Sequence, residues 1–394
     1  MKPNLQFGLP VSRASRFITT AVLGVLGGYL LTIVGFGVPP RDIRKEVEIS
    51  FKLRGRQEPQ RKIEIVCLDD ATVRSAGGRI PIPRRMLAGV INRVAADKPC
   101  AIALYLVLSG DSSFGIGDDK AMVAACREAG CVVLSAGYAE GVGGGRDSVI
   151  VPAARISSAS RAVGLVSLGV DGGVARTAPL RKLIGGKDWP SLALEVGRLV
   201  TAWGSAPASG EVSDIRSPKE MLINYIGPTG TFPRVSALDV LEGSVRRGRF
   251  TGAIVLIGPT AAKWGDSYRI PRGIGPGGGY PRQTGMDGVE VQANVIHTVV
   301  TGKLIRLAPY PVLVLRNLAV AFLIAFIMAY NARGVTGVLL SLGVGLLSLL
   351  SARYVFLRWN YVLEETIASW CALATIGIGS SLRVFAGRDG VADR

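Results

Sequence analysis

Four apolar runs, Phe17 to Val38, Pro309 to Tyr330, Val335 to Ala352 and Tyr361 to Leu382, constrain this chain more than any other feature. Each approaches the roughly 20 residues that a helix needs to cross the hydrocarbon core of a bilayer. With 48% hydrophobic residues and a mean hydropathy of +0.36, the chain is too apolar for an ordinary soluble enzyme. The runs divide the 394 residues into an N-terminus (1–16), a span (17–38), a long segment (40–308), spans at 309–330, 335–352 and 361–382, and a tail (383–394).

Lys2, Arg13 and Arg16 precede the first run, as they would in a signal peptide. The run is longer than a signal core and "GFGVPPRD" offers no A-x-A cleavage site, so the expectation is an uncleaved anchor. Four spans return both termini to one side. Arg13, Arg16, Arg333, Arg383 and Arg388 fall on that side, which the positive-inside rule makes the cytoplasm. Arg41, Arg44 and Lys45 oppose it, but they open a long translocated segment, where the rule is weak; Arg353 and Arg358 oppose it at the third and fourth spans. The expected placement is a multi-pass protein of the inner membrane with 40–308 extracytoplasmic.

A formal net charge of +17 raises the question of nucleic acid. The cations are dispersed among acids, as in "RDIRKEVEISFKLRGRQEPQRKIE", with neither a basic stripe nor a stacking pattern of aromatics, so nucleic acid is not an expected partner. Membrane orientation and attraction to anionic lipid headgroups account for the excess. Cys67, Cys100, Cys126 and Cys131 lie in the exterior segment and Cys371 in a span. Without a C-x-x-C or a dense framework they read as buried free thiols.

From Ile63 onward, strand-like runs alternate with helical windows: "IEIVCLDD", then "PRRMLAGVINRVAADK", "AIALYLVLS", "DDKAMVAACREAG" and "CVVLSAGY". Strands separated by helices of this length predict crossover connections and a largely parallel sheet. "VGLVSLGVDGGVARTAPLRK" reads as two strands joined by a turn at "DGG". "SLALEVGRLVTAW", "EMLINYIG", "SALDVLEG", "GAIVLIG" and "GVEVQANVIHTVVTG" complete the series. The predicted fold class is α/β, a three-layer domain with a mixed, largely parallel sheet, together with four transmembrane helices. The Gly-rich loop holding Gly275, Gly277, Gly278 and Gly279 lacks the lysine and strand-to-helix context of a phosphate loop and reads as a connection.

The anchor, then "RDIRKEVEISFKLRG", "IEIVCLDDATVRSAGGRIPIPRRMLAGVINRV", "GLVSLGVDGGVARTAPL", "PSLALEVG", "INYIGPTGTFPRVSALDVLEG", "GAIVLIGPTAAKWGDSYRIPRG", "GMDGVEVQANVIHTVV" and three closing spans together resemble the CHASE domain of the second class, CHASE2. The resemblance covers roughly residues 40 to 380. It implies a bacterial extracytoplasmic sensory domain of the kind that precedes adenylate cyclases, histidine kinases and Ser/Thr kinases. Two departures stand out: Tyr105 lies where relatives carry an acidic residue at the end of the second strand, and no cyclase or kinase follows the third closing span before Arg394. The resemblance therefore implies a sensor that acts through a separate signalling or assembly partner protein; homo-oligomerisation is left open.

Parallel α/β sheets bind ligands where the carboxyl ends of their strands converge. Asp69 and Asp70 follow the first strand, Thr260 and Asp266 a late one, and Arg84 and Arg85 open a helix nearby, so these six could meet in one crevice for a small-molecule or protein ligand. The alternative is that Asp69 and Asp70 cap the following turn and Asp266 pairs with an arginine. His297, the only histidine, sits in an apolar helix and reads as a packed side chain; Glu290 and Asn294, one turn apart, could hold an ion or cap the preceding loop. No G-x-S-x-G or H-E-x-x-H motif is present, and no catalytic residue, cofactor or metal is expected. The rival function is a metal-dependent envelope hydrolase using Asp69, Asp70 and Asp266. Within the membrane, Arg316 of the second span and Glu364 and Glu365 of the fourth lie at similar depths and either form a coupling pair or stay wet at the interface.

Overall fold

The structure, a computed structural model, describes residues 12–36, 43–141, 147–202, 220–271, 273–274, 285–331, 334–364 and 366–392. The chain divides into two compact units, Phe51–Ile305 and a second made of Met1–Ser50 with Arg306–Arg394.

In the first unit the strands β1 (Ile63–Leu68), β2 (Ala101–Leu104), β3 (Val132–Ala139), β4 (Ser148–Ile150), β5 (Ala162–Val166), β6 (Arg234–Ser236) and β7 (Ile254–Pro259) form a seven-stranded sheet. Its order is β6-β1-β7-β2-β3-β4, with β5 also pairing β3. Every pairing is parallel except β3 with β4. All residues of β1 and β7 are buried, and apart from Glu64, which pairs with Arg249 at 2.9 Å, both read as apolar runs: a parallel strand covered on two faces has little polar side to show.

The covering helices follow from the alternation along each strand. Val66, Leu68, Ile102, Leu104, Val132, Leu134, Val255 and Ile257 join one core with Leu87, Ile91 and Val94 of α4 (Arg84–Ala95), Met122 and Cys126 of α5 (Ile116–Ala129), and Val240 of α7 (Ala237–Glu242). The alternate residues Ile65, Ala103, Val133 and Leu256 face the other way and are equally buried. There α6 (Leu192–Ala202) packs against β2 and β3, and α8 (Gly288–Thr301) against β1 and β7. The expected three-layer, mostly parallel α/β domain is present.

The "DGG" turn joins Gly169–Asp171 to Val174–Pro179 in an antiparallel pair, and Gly172 and Gly173 both take positive φ, 57° and 78°, which a tight hairpin turn of this hand needs. The second strand is shorter than "AIALYLVLS" suggests, because β2 leaves the ladder after Leu104. The short helix α3 (Asp70–Ser75) and the hairpin Arg181–Ile184 with Lys187–Pro190 were not expected from the sequence pattern. The Gly-rich loop at 275–279 lies outside the described residues.

The second unit holds α1 (Arg13–Phe36), the start of α2 (Ile43–Arg54), α9 (Tyr310–Tyr330), α10 (Gly334–Trp359) and α11 (Thr366–Ala392). Of the four expected spans, α9 and α10 are long and apolar enough to cross a membrane among the described residues, and α11 carries a shorter apolar stretch, Ala368–Leu382. The expected boundary at Tyr361 shifts, because Tyr361–Val362 pairs in parallel with Arg306–Leu307 before α11 begins. Helix α1 packs on α11 through two glycines one turn apart: a Cβ at Gly24 would collide with Thr375, and one at Gly28 with Cys371. Cys371 and the four thiols of the α/β unit are free.

Candidate functional site

The carboxyl ends of β6, β1, β7 and β2 present Ser236, Asp69, Thr260 and Tyr105 along one edge of the sheet. Cys67 sits between them, in register with Ser236 on one side and Gly258 on the other. Burial pushes its thiol up, and the Thr260 side chain hydrogen-bonds to it.

Asp69 answers the question its position raises. It is the N-cap of α3, and its Oδ1 accepts from the Thr72 amide at 2.9 Å and the Thr72 hydroxyl at 2.8 Å. Partial burial raises its carboxyl, but the hydrogen bonds from Thr72 and Ser236 outweigh that and hold it below the usual carboxylate range. Asp70, the first residue of α3, is exposed. Thr260 and Ala261 donate their amides to the Leu68 carbonyl, both at 3.2 Å, which ties the end of β7 to the end of β1.

Asp266 is the unusual group. Its Oδ1 accepts from the Tyr105 hydroxyl at 3.5 Å, while its buried Oδ2 has no hydrogen-bond partner among the described residues. The carboxylate lies against the N-terminus of α8, so closely that a Cβ at Gly288 would collide with it and with the Tyr105 hydroxyl. Burial raises the Asp266 carboxyl above its ordinary value, Asp287 adds to the rise, and hydrogen bonds from Tyr105 and Tyr268 work against it. The Tyr105 and Tyr268 hydroxyls are themselves raised, first by burial and then by Asp266. The alternative in which Asp266 pairs with an arginine finds no such partner among the described residues, where its neighbours are Tyr105 and Tyr268.

Arg84 and Arg85 do not join this edge. Arg84 is 7% exposed and pairs with Asp119 at 2.5 Å, and its guanidinium also donates to the Ser109 and Gly110 carbonyls at 2.8 and 3.1 Å. The backbone amides of Arg84 and Arg85 donate to the two Asp118 oxygens, each at 2.8 Å. Pro83 at the N-cap of α4 has no side-chain hydrogen bond to give, so Asp118 caps that helix from α5. The arginine pair is structural because a buried guanidinium needs its charge and donors met, and Asp119 with two carbonyls meets them. Arg85 itself has an exposed side chain.

Glu290 and Asn294 resolve in the same direction. The fully buried Glu290 accepts from the amides of Gly230 and Thr231 at 2.9 and 3.0 Å and pairs with Arg234, which also bridges to Asp287 at 2.7 Å. Asn294 Oδ1 accepts from the Ile226 amide at 3.1 Å. Together they hold the 226–232 loop; the preceding Gly-rich loop lies outside the described residues. His297 Nε2 accepts from the Gln60 amide at 3.2 Å, and burial, with Lys303 and Arg54 nearby, lowers its pKa to about 4, so it is a neutral packed side chain.

The sequence pattern passed over Tyr268, Arg234 and Asp287, and marked Tyr105 only as a departure from relatives. An aromatic in an apolar run reads as core, and a lone acid before a helix reads as a cap, so no signal set them apart. No group of three His, Cys, Asp or Glu among the described residues could hold a metal ion. Asp69 is committed to Thr72 and Asp70 is solvent-exposed, so nothing found supports the hydrolase.

In the helical unit Arg316 donates to the main-chain carbonyl of Glu364 at 2.7 Å. The acceptor is the main chain just before α11, and Glu365 lies outside the described residues.

Residues 43–330 match the model of the CHASE2 domain, well over half of the chain. The match begins at α2, takes in the whole sheet and ends with α9. No curated protein and no solved structure is matched.

Proposed function

The chain belongs to the CHASE2 family, and on that premise we propose that it is a membrane-anchored sensor whose α/β unit lies outside the cytoplasm and whose signal passes to a partner protein. CHASE2 is a family of sensory, non-catalytic domains, and α9 and α10 are membrane-capable. In this reading α1, α9, α10 and α11 are four spans of the inner membrane, both termini are cytoplasmic and the bilayer supplies the lipid contacts.

The charge pattern supports that topology better than the sequence did. Arg353, which opposed the positive-inside assignment, has a carboxylate of its own in Glu46 at 2.6 Å, so it is not an unbalanced charge on the outer side.

The ligand site of this reading is the carboxyl edge of the sheet, and the observation that carries it is the buried Asp266 Oδ2, which has no hydrogen-bond partner among the described residues. A buried carboxylate oxygen left without a donor is costly unless something else supplies one. A ligand bearing an amine, amide or hydroxyl donor meets that need beside Tyr105 and Tyr268, with Asp69 and Thr260 shaping the neighbouring turns. The test is a thermal-shift screen of small polar metabolites on the purified chain and on Asp266→Asn. Compounds that raise the melting temperature of the first and not of the second support the site; compounds that raise both equally place binding elsewhere.

A further inference from the structure

A cavity of about 270 Å³ lies among α9, α10 and α11. Val320 of α9, Ser341, Gly345 and Ser348 of α10, and Ser369 and Ala372 of α11 line it. Ser341 is fully buried, and neither its hydroxyl nor the buried hydroxyl of Ser348 has a hydrogen-bond partner among the described residues.

In an apolar environment a helical serine or threonine ordinarily satisfies its hydroxyl on the carbonyl one turn back. The neighbours do so: Thr375 donates to the Cys371 carbonyl at 2.6 Å, Ser380 to Ile376 at 2.8 Å and Ser381 to Gly377 at 3.0 Å. Ser341 and Ser348 forgo that bond. They are seven residues apart, two helical turns or about 10 Å along one face of α10, and Gly345 between them leaves the space open.

We propose that this cavity binds a small bilayer-soluble amphiphile, an aliphatic body with a hydroxyl or carbonyl oxygen placed to hydrogen-bond Ser341 and Ser348. The volume lies just below that of pockets for drug-sized ligands. A further transmembrane helix, about 10 Å across, would need several times that volume over the same length. A plain acyl chain would fill the space but leave both hydroxyls unmet. This site is separate from the carboxyl edge of the sheet and rests only on α9 to α11 standing in a bilayer, which the fusion experiment below tests independently.

The test uses the full chain in lipid nanodiscs and two photoreactive probes, a ten-carbon primary alcohol with a mid-chain diazirine and the matching alkane. The alcohol should label peptides covering Ser341–Leu349 and Ala368–Ile376, at least fivefold more than the alkane, and excess unlabelled 1-decanol should abolish the labelling. Ser341→Ala with Ser348→Ala should cut labelling at least fivefold. Ser351→Ala, whose exposed hydroxyl already donates to the Ser348 carbonyl at 2.7 Å, should leave it unchanged. Ligand-free Ser341→Ala should melt at or above the wild-type temperature, since it removes a buried polar group that nothing satisfies. Equal labelling by the alkane would reduce the cavity to a crevice for lipid tails and overturn the proposal. So would labelling indifferent to the serines, or a lower melting temperature for ligand-free Ser341→Ala. Should the double variant not fold, Gly345→Leu, which fills the cavity with an apolar side chain, must abolish labelling instead; persistent labelling in it overturns the proposal equally.

Discussion

Arg353 on α10 and Glu46 on α2 form an ion pair at 2.6 Å with their side chains only 16% and 8% exposed. The same guanidinium donates to the Ser50 hydroxyl at 3.1 Å, so its charge and its donors are met by one helix face. Removing one member of a buried pair leaves the other charge uncompensated, which costs about 3–5 kcal/mol. Glu46→Ala should therefore lower the melting temperature in detergent markedly, and Glu46→Ala with Arg353→Met should recover much of the loss. No recovery in the double variant would mean that the pair is not the source of the stability.

At the end of β1 the two adjacent aspartates should separate cleanly. Asp69→Ala removes an N-cap and should cost about 1 kcal/mol, whereas Asp70→Ala, at an exposed position, should stay within about 0.5 kcal/mol of the parent. Denaturant melts of the two variants decide it. Equal losses would mean that Asp70 carries a structural role the hydrogen bonds do not reveal.

How much of this edge the sequence pattern disclosed depends on the range of the interaction. The strand "IEIVCL" and the cap at Asp69 are local: one needs only a run of residues buried on both faces, the other a short acid at a strand end. The insertion of β7 between β1 and β2 is not local, because every central strand of a parallel sheet looks equally apolar and its neighbours are chosen by distant chain. Arg84 misled for the same reason. Its partner Asp119 lies on another helix, and nothing in "PRRM" tells a guanidinium that is buried and paired from one that is open to a ligand. Tyr105 was hidden by chemistry, since only the arrival of Asp266 from after β7 turns a core aromatic into a hydrogen-bond donor.

Asp266 gives the α/β unit a pH dependence of definite sign. Its folded-state carboxyl is raised above the ordinary value of 3.8, so the native state holds a proton that the unfolded chain has released. The stabilisation is fully present below the unfolded value and is lost as pH rises through the folded one. Asp266→Asn should abolish that component: its melting temperature relative to wild type should rise as pH increases from about 3.5 through the folded-state titration. Asp69 works oppositely, its contribution being present above 3.8 and lost as pH falls through its depressed value. A stability difference between wild type and Asp266→Asn that does not change with pH would show that the carboxyl is not raised.

The four-span topology makes a direct prediction for reporter fusions. Alkaline phosphatase inserted at the Gly185-Gly186 turn of the Arg181–Pro190 hairpin should be active, because that turn is exposed and belongs to the unit read as extracytoplasmic. The same reporter after the C-terminal residue should be inactive, and a cytoplasmic reporter should give the mirror pattern. Activity at both positions would mean an even number of spans between them and would remove one helix from the membrane.

Arg316 tests how the bundle is tied together. A charged side chain inside a span is retained where it has a partner, and here the guanidinium donates to the Glu364 carbonyl at 2.7 Å, just before α11 begins. The acceptor is main chain, so the identity of side chain 364 matters less than the donor on α9. Arg316→Met should therefore destabilise the bundle in detergent more than Glu364→Gln does, since the amide variant leaves the carbonyl in place while Arg316→Met leaves it without this donor. The expected gap is about 1–3 kcal/mol, the range for stranding one partner of a buried hydrogen bond. A charge reversal at both positions, Arg316→Glu with Glu364→Arg, should fail to restore stability, because it returns no donor to the carbonyl from α9. Full rescue by that double reversal would show instead that the two side chains attract one another directly, and that the coupling of α9 to α11 is an ion pair.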